Sequence, residues 1–248
     1  KAYLGTIVTR LCLDQLKSAR LTRETYLGPW LPEPVPTADL EPGPVEAAER
    51  REEISLAFLT LLERLIPEER AAYVLHEAFD EPYDAIAAVL GKSVPATRQL
   101  AHRARTHLAD ERPRFSASLD EQRRLTERFL AATRQGDLQG LTDLLAADVT
   151  LWSDGGPKAR AARRPIVGSD AVARGVIGTA AKLWSDTRAA LEAINGGVGV
   201  LLWRGDELVN ATALDVVAGR VQGIHVIVNP DKLAYLAKRF SPPAASAI

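Results

Sequence analysis

The 248-residue chain has no methionine, a single cysteine and few aromatic side chains, which make up 6% of its residues. One cysteine cannot form a disulfide framework within the chain, so a disulfide-stapled scaffold is excluded and a reducing cytoplasm is favoured. No apolar run is long enough to span a bilayer, and no secretory signal pattern is visible. We therefore expect a cytoplasmic protein without a membrane partner.

Neither sign of charge is in excess, because 31 Lys and Arg residues face 32 Asp and Glu residues. The chain as a whole is not polybasic, so any contact with nucleic acid must come from a local basic face. Glycine and histidine spacings show no phosphate-cradling loop and no metal-ligand pattern, so we expect no cofactor and no metal. The length allows two domains, and the chain opens on Lys1 inside a helical pattern. This opening predicts that part of the first domain is missing from the sequence.

Residues 81–109, EPYDAIAAVLGKSVPATRQLAHRARTHLA, predict two helices joined by a tight turn. Pro82 suits a first helical turn, Gly91 supplies a left-handed stop, and Ser93 is a good N-cap. The free side of the second helix is basic and polar, with Arg98, Gln99, His102, Arg103 and Arg105. This pattern is typical of a helix-turn-helix that binds DNA. A helix pair with a merely solvated basic face is the alternative.

Helical periodicity also covers residues 1–24, 45–65 and 67–79. Cys12 lies in the first of these helices and is expected to pack in a core. Six of the fifteen prolines fall in residues 26–44, which predicts a stiff, extended linker. Trp30 and Leu31 are costly to expose, so this linker is expected to dock on another part of the protein.

The C-terminal half predicts helices first and then a run of strands. Helices are expected at residues 120–135, 138–145 and 169–184, with a strand at 148–154 between them. Four further strands at 188–195, 198–204, 207–217 and 220–228 precede a closing helix that ends near residue 240. This α+β order fits a curved antiparallel sheet wrapped around a helix.

Residues 45–112 resemble the promoter-binding fourth domain of extracytoplasmic-function (ECF) sigma factors, on IPEERAAYVLHEAFDEPYDAIAAVLGKS followed by VPATRQLAHRAR. Residues 1–25, which contain AYLGTIVTRLCLDQLKSAR, resemble the last helix of the second sigma domain. The linker YLGPWLPEP, within residues 26–44, resembles the subgroup that carries a SnoaL-like (NTF2-like) cone, here residues 119–240. The resemblance implies a multi-domain transcription factor with an all-α sigma domain followed by an α+β cone.

The resemblance also implies RNA polymerase core and promoter DNA as partners in transcription initiation. The helix at residues 94–109 would enter the major groove of the upstream promoter element. The expected contacts to bases or their neighbourhood are Ala96, Arg98, Gln99 and His102, with phosphates contacted by Lys92, Ser93, Arg103 and Arg105. The downstream element would be contacted from the first helix by Arg10 and Lys17.

Two motifs of the subgroup are expected to face the linker and to regulate the sigma domains. The first is the loop Asp154-Gly155-Gly156-Pro157-Lys158, in which proline replaces a third glycine of the subgroup pattern. The second is the intact motif Asn229-Pro230-Asp231-Lys232-Leu233. Both are expected to dock on the linker at Trp30, Leu31 and Pro32 or on the promoter-binding domain, so that the cone either restrains or supports promoter opening.

Two alternatives treat the cone as a chemical site. SnoaL-like folds include isomerases and cyclases, which need a carboxylate base with oxyanion donors. Asp215 and His225 could line such a pocket together with Trp152, Trp184 or Trp203. The favoured interpretation is structural, with Asp215 facing solvent near a strand end and His225 packed and hydrogen-bonded, since fold analogy alone does not supply a function. We therefore assign no catalytic residue. In the other alternative the cone binds an unidentified small ligand that shifts how the domains pack.

Overall fold

The computed structural model describes residues 7–15, 26, 28–39, 56–111, 117–183 and 186–244. The chain divides into two compact units. The first contains residues 1–25 and 59–112, and the second contains residues 26–58 and 113–248. The proline-rich linker therefore belongs to the same unit as the C-terminal domain.

The first unit is all helical. Its helices are α1 (residues 7–15), α2 (Leu56–Arg64, whose first turn is assigned to the second unit), α3 (Pro67–Glu77), α4 (Tyr83–Leu90) and α5 (Val94–Glu111). Helix α5 runs two residues beyond its predicted end at Ala109. The other parts of the predicted helices 1–24 and 45–65 lie outside the described residues.

The helix-turn-helix is formed by α4 and α5. Gly91 ends α4 in the left-handed region at φ 65°, where a residue with a side chain would be strained. The Ser93 hydroxyl accepts a hydrogen bond from the Ala96 N–H at 3.3 Å and so caps α5. A core of Ala72, Ile86, Leu100 and Ala101 joins the two helices to α3.

Helix α1 keeps its apolar side exposed among the described residues. Val8 is 58% exposed and Leu11 is 64% exposed. Cys12 is a free, exposed thiol, so the prediction that it packs in a core is wrong. The reason is that the described residues provide nothing that covers this side of the helix.

The second unit consists of three helices, a six-stranded sheet and a closing helix. In chain order these are α6 (Leu119–Gln135), α7 (Leu138–Leu144), β1 (Leu145–Asp154), β2 (Ile166–Val167), α8 (Ser169–Leu183), β3 (Arg188–Ile194), β4 (Gly197–Arg204), β5 (Glu207–Val217), β6 (Arg220–Ile227) and α9 (Pro230–Arg239). The short strand β2 was not predicted, because two residues carry no periodic signal.

The sheet has the order β2-β1-β6-β5-β4-β3 and is mixed rather than wholly antiparallel. Strands β3 to β6 form the expected antiparallel meander, whereas β1 pairs with β6 in parallel. The chain leaves β1 through β2 and α8, crosses to the far edge and returns hairpin by hairpin to β6. This crossover brings β6 alongside β1 in the same direction. The parallel pair was not predicted, because the order of strands along the sequence does not show which strands become neighbours.

Both faces of the sheet are covered. Helices α6, α7 and α8 pack on one face around Phe129, Leu141, Val149 and Ile224. On the other face, α9 and the linker pack on a cluster of Leu31, Leu56, Ile194, Leu201, Trp203, Leu208, Ala211, Ile227, Leu233 and Leu236. Leu31 therefore sits in the apolar core of the C-terminal unit although it comes from the linker.

Candidate nucleic-acid interface and linker-binding site

Helix α5 separates a buried side from an exposed, polar side. Thr97, Ala101, Ala104 and Leu108 are buried. The predicted base-contacting side chains Arg98, Gln99 and His102 are all exposed, and Ala96 is half-buried one turn earlier. The structure thus brings these four predicted residues onto the accessible part of one helix.

The predicted phosphate contacts are engaged within the unit. Three glutamates of α3 each form a salt bridge with one of these cations. Glu68 pairs with Lys92 at 3.0 Å, Glu69 with Arg103 at 3.0 Å, and Glu77 with Arg105 at 2.6 Å. Glu69 is only 5% exposed, so its pair with Arg103 also ties α5 to α3. To bind a DNA phosphate, each of these cations must give up its salt bridge to a carboxylate. These salt bridges were not predicted from the sequence.

The remaining predicted DNA contacts differ in their accessibility. The Ser93 hydroxyl serves as the cap of α5, as described above. Arg10 is exposed on α1, and Lys17 lies outside the described residues.

A buried carboxylate organises the linker-binding site. Asp154, at the end of β1, has no exposed surface. Its Oδ1 accepts hydrogen bonds from the Tyr26 hydroxyl at 2.5 Å and the Gly156 N–H at 3.1 Å. Its Oδ2 accepts one from the Leu31 N–H at 2.8 Å and one from Lys232 Nζ at 2.7 Å. The carboxylate is therefore fully paired, as a buried charge must be.

Lys232, at the start of α9, completes this site from the opposite side. Its ammonium also donates to the Leu31 carbonyl oxygen and lies 3.9 Å from the centroid of the Trp30 ring. A cation over an indole face is attracted by the ring quadrupole. One lysine thus binds both the backbone and the aromatic side chain of the linker.

Tyr26 and Asn229 form the outer wall of the site. The Asn229 side chain caps α9 by accepting from the Asp231 N–H and donates from Nδ2 to the Tyr26 hydroxyl at 2.9 Å. Burial raises the pKa of Tyr26, and the hydrogen bond to Asp154 raises it further. The phenol therefore remains a neutral donor to Asp154 at neutral pH.

The glycines of the Asp154–Lys158 loop leave room for these contacts. Gly156 has φ 55°, and a Cβ built there would lie 2.5 Å from Asn229 Nδ2 and 3.0 Å from the Tyr26 hydroxyl. A Cβ at Gly155 would lie 2.4 Å from the Ala159 carbonyl oxygen. A side chain at Gly155 would clash with backbone, and one at Gly156 would displace Asn229 and Tyr26 from their contacts. Lys158 forms an exposed ion pair with Asp231 at 2.6 Å.

The two sequence motifs and the linker therefore converge. Leu31 is 1% exposed, Pro32 is buried, and Trp30 is half-buried beneath Lys232. Leu233 packs in the same cluster as Leu31, and Pro230 opens α9 behind Asn229. We call the set of Asp154, Gly156, Asn229 and Lys232 the linker clamp.

A second attachment of the linker was missed by sequence reasoning. The Val35 N–H donates to Asn195 Oδ1 at 3.1 Å, and the Asn195 N–H donates to the Val35 carbonyl oxygen at 3.0 Å. The Thr37 hydroxyl accepts from the Gly196 N–H at 3.0 Å. The signal was present in the INGG sequence, since Asn-Gly marks a tight hairpin turn with accessible amides.

Asp39 ends this second attachment on α9. It accepts hydrogen bonds from the Tyr235 hydroxyl and Arg239 Nε, both at 2.9 Å. The hydrogen bond from Arg239 holds the pKa of Asp39 below its usual value. The linker is thus held at both ends of residues 26–39.

The residues considered for catalysis form a pair on the α9 face of the sheet. His225 Nε2 lies 2.7 Å from Asp215 Oδ2, and its ring stacks on Trp152 at a centroid distance of 5.0 Å. His225 is 2% exposed and does not line an open pocket, whereas the side chain of Asp215 is 21% exposed. Trp203 belongs to the cluster around Leu31, and Trp184 lies outside the described residues.

The described residues contain neither a membrane-spanning helix nor a group of metal ligands. Within them, no helix is both long and apolar enough to cross a membrane. Over the same ranges, no three His, Cys, Asp or Glu side chains group as ligands for a metal ion.

Comparison with known proteins identifies relatives across both units. Residues 55–108 match the family model "Sigma-70, region 4". The chain is 38% identical over 244 residues to the ECF RNA polymerase sigma factor SigJ of Mycobacterium tuberculosis (strain ATCC 25618 / H37Rv), covering 94% of this chain and 78% of that relative. It is 33% identical over 239 residues to the probable ECF RNA polymerase sigma factor SigI of Mycobacterium tuberculosis (strain CDC 1551 / Oshkosh), with the same two coverages.

The solved structure of one relative agrees with this result. The crystal structure of Mycobacterium tuberculosis SigJ superimposes with a TM-score of 0.71 at 34% identity, covering 94% of this chain and 82% of that one. The predicted order of a helical sigma domain followed by an α+β SnoaL-like cone is therefore confirmed. The chain belongs to the family of extracytoplasmic-function RNA polymerase sigma factors.

Proposed function

We propose that this sigma factor binds core RNA polymerase, reads promoter DNA with α5, and is restrained by its own cone through the linker clamp. The observation that carries the proposal is the docking of Tyr26, Trp30 and Leu31 on the two motifs that resemble the subgroup's regulatory motifs. The cone acts as a regulator in this proposal and not as an enzyme, since the histidine of the Asp215–His225 pair is buried.

The support for DNA reading is the division of α5 into two kinds of side chain. Arg98 and Gln99 are exposed and carry the paired donors or acceptors that recognise base edges in the major groove. Lys92, Arg103 and Arg105 are exposed or half-exposed cations next to acids of α3, where phosphates can replace those acids. Base reading and phosphate binding are therefore assigned to different residues of one short surface.

The support for restraint is that the linker is engaged by its backbone as well as by its side chains. Both the N–H and the carbonyl oxygen of Leu31 are bonded to the clamp, and both polar groups of the Val35 backbone are bonded to Asn195. A segment held in this way cannot bind a second surface at the same time. Polymerase contacts that need the linker must therefore compete with the cone.

The strength of docking suits a reversible restraint. Burying one leucine side chain is worth about 1.5–3 kcal/mol, and the clamp adds hydrogen bonds to charged groups. A bias of this size favours the docked state by roughly tenfold to a few hundredfold. A large partner that gains more contacts from the free linker can overcome it.

The DNA-reading part can be tested by selection from a randomised duplex library. The chain should enrich one sequence motif, and Arg98→Ala with Gln99→Ala should abolish that enrichment while the helices remain folded. Thr106→Ala, on the exposed side of the same helix, serves as a matched control. Absence of any enriched motif with the unaltered chain would sink this part of the proposal.

A further inference from the structure

Three side chains of the first unit converge on one phenol ring. The Tyr83 and His76 ring centroids lie 4.2 Å apart. Arg105 Nη2 donates a hydrogen bond to the Tyr83 hydroxyl at 3.1 Å, and the Arg98 guanidinium carbon lies 5.6 Å from the centroid of the Tyr83 ring. Tyr83 is the first residue of α4, so it reaches α5 from the other helix of the helix-turn-helix.

We propose that Tyr83 is a positioning residue that holds Arg98 in its DNA-facing orientation before DNA arrives and, together with Glu77, holds Arg105. The inference rests on the proposed reading role of α5. Tyr83 need not contact DNA in this proposal, because it acts through the two arginines.

Arginine side chains lose much rotamer freedom when they bind, and this loss weakens binding. A guanidinium that already lies against an aromatic face has lost part of that freedom in the unbound protein. Such preorganisation favours the one orientation that can form a bidentate pair with a base. It should therefore increase discrimination between sequences more than it increases affinity for DNA in general.

Tyr83 is itself well placed to be a fixed reference point. Its ring is half-buried against the core of Ala72, Ile86, Leu100 and Ala101, which joins α3, α4 and α5. His76 flanks the ring and is fixed in turn by the contact of its Nδ1 with the Glu81 carbonyl oxygen at 3.1 Å.

Among the described contacts, Arg105 is held by both Glu77 and Tyr83, whereas Arg98 is held by Tyr83. Glu77 pairs with Arg105 at 2.6 Å, so loss of the Tyr83 hydroxyl leaves Arg105 with a partner. For Arg98 the described contact is the ring itself. The ring should therefore matter for Arg98, and the hydroxyl should matter mainly for Arg105.

The geometry can be checked in the unaltered protein by nuclear magnetic resonance. Cross-relaxation between the Arg98 δ protons and the Tyr83 ring protons is expected, with an upfield ring-current shift of those δ protons. Tyr83→Phe should preserve both signals, and Tyr83→Leu should remove them. Absence of the contact in the unaltered protein would overturn the proposal even if the protein binds DNA normally.

The functional consequence can be measured on a selected duplex and on a scrambled one. Tyr83→Leu should lower the preference for the selected duplex by about two- to fivefold, which is the worth of an exposed cation–π contact. Tyr83→Phe should retain the preference. Thermal unfolding of each variant shows whether the fold is intact, and the leucine keeps apolar packing at this position.

A double-mutant cycle separates positioning from a general structural role. In an Arg98→Ala background, Tyr83→Leu should have no further effect on the preference. An equal effect in both backgrounds, or an equal loss on both duplexes, would overturn the proposal. If the unaltered chain prefers no duplex while the Arg98–Tyr83 contact is present, the reading role of α5 fails and the positioning of Arg98 stands.

Discussion

The carboxylate of Asp154 accepts a hydrogen bond at 2.8 Å from the backbone N–H of Leu31, which lies 123 positions earlier in the chain. The same carboxylate oxygen binds Lys232, whose ammonium reaches the Leu31 carbonyl oxygen. The two polar groups of one residue are thus bound by one ion pair, and its side chain enters an apolar core. This arrangement sets the register of the linker on the cone.

The side chain of Leu31 should contribute most of the apolar part of docking. We expect Leu31→Ala to weaken docking by about 2–3 kcal/mol, because a buried leucine leaves a cavity when it is shortened. Hydrogen exchange should show faster exchange of the amide at position 31, with little change in strands β4 to β6. Glu33→Ala, at an exposed position of the same segment, is the control. Unchanged protection of that amide in Leu31→Ala would contradict the packing described here.

Removing one charge of the Asp154–Lys232 ion pair should destabilise the protein more than removing both charges. Asp154→Leu leaves the Lys232 ammonium without its buried counter-charge, which typically costs about 3–5 kcal/mol. The double variant Asp154→Leu with Lys232→Met removes both charges and should recover a large part of that loss. Chemical denaturation of the unaltered protein, Asp154→Leu, Lys232→Met and the double variant measures the interaction energy between the two side chains. Additive effects of the two substitutions would show that the pair is not coupled as the structure indicates.

Docking should be lost at high pH through Tyr26. Its pKa is raised in the folded state by burial and by Asp154. Its stabilising contribution is therefore complete below the usual tyrosine pKa of about 10 and is lost as the pH rises through the raised value. Ultraviolet titration should show a late-ionising phenol that Tyr26→Phe removes. Tyr235→Phe is an informative comparison, since the hydrogen bond to Asp39 raises the pKa of Tyr235 as well.

On DNA, Arg98 and Arg105 should behave differently. Arg98→Ala should cost about 1–3 kcal/mol on the selected sequence and relax the preference at one base. Arg105→Ala should weaken all sequences alike, with a reduction of the salt slope of less than one unit, because Glu77 already pairs with this cation. Binding measured at several salt concentrations distinguishes the two effects. Identical behaviour of both variants would contradict the division of roles on α5.

Much of the fold follows from local chemistry. Gly91 and Ser93 mark the turn of the helix-turn-helix, and the structure places the α4 stop and the α5 cap at these residues. Trp30 and Leu31 predicted that the linker docks because their exposure is costly. These signals depend only on neighbouring residues or on hydrophobicity, so they can be recognised in a single sequence.

The features that were missed depend on contacts between distant residues. The parallel pairing of β1 with β6 arises from a crossover that strand patterns do not encode. The pairing of Arg105 with Glu77 joins residues 28 positions apart, and their sequence gives no sign of it. Cys12 looked like a core residue because helical spacing identifies an apolar side but not what covers that side.

The most direct test of the account is run-off transcription with core RNA polymerase on a promoter that the protein recognises. Leu31→Ala is compared with the unaltered protein and with Glu33→Ala, at equal protein concentration. If the cone restrains the factor through the linker, Leu31→Ala should increase transcript several-fold while Glu33→Ala leaves it unchanged. An unchanged or lower transcript yield from Leu31→Ala, with faster amide exchange proving that the linker is released, would contradict the account.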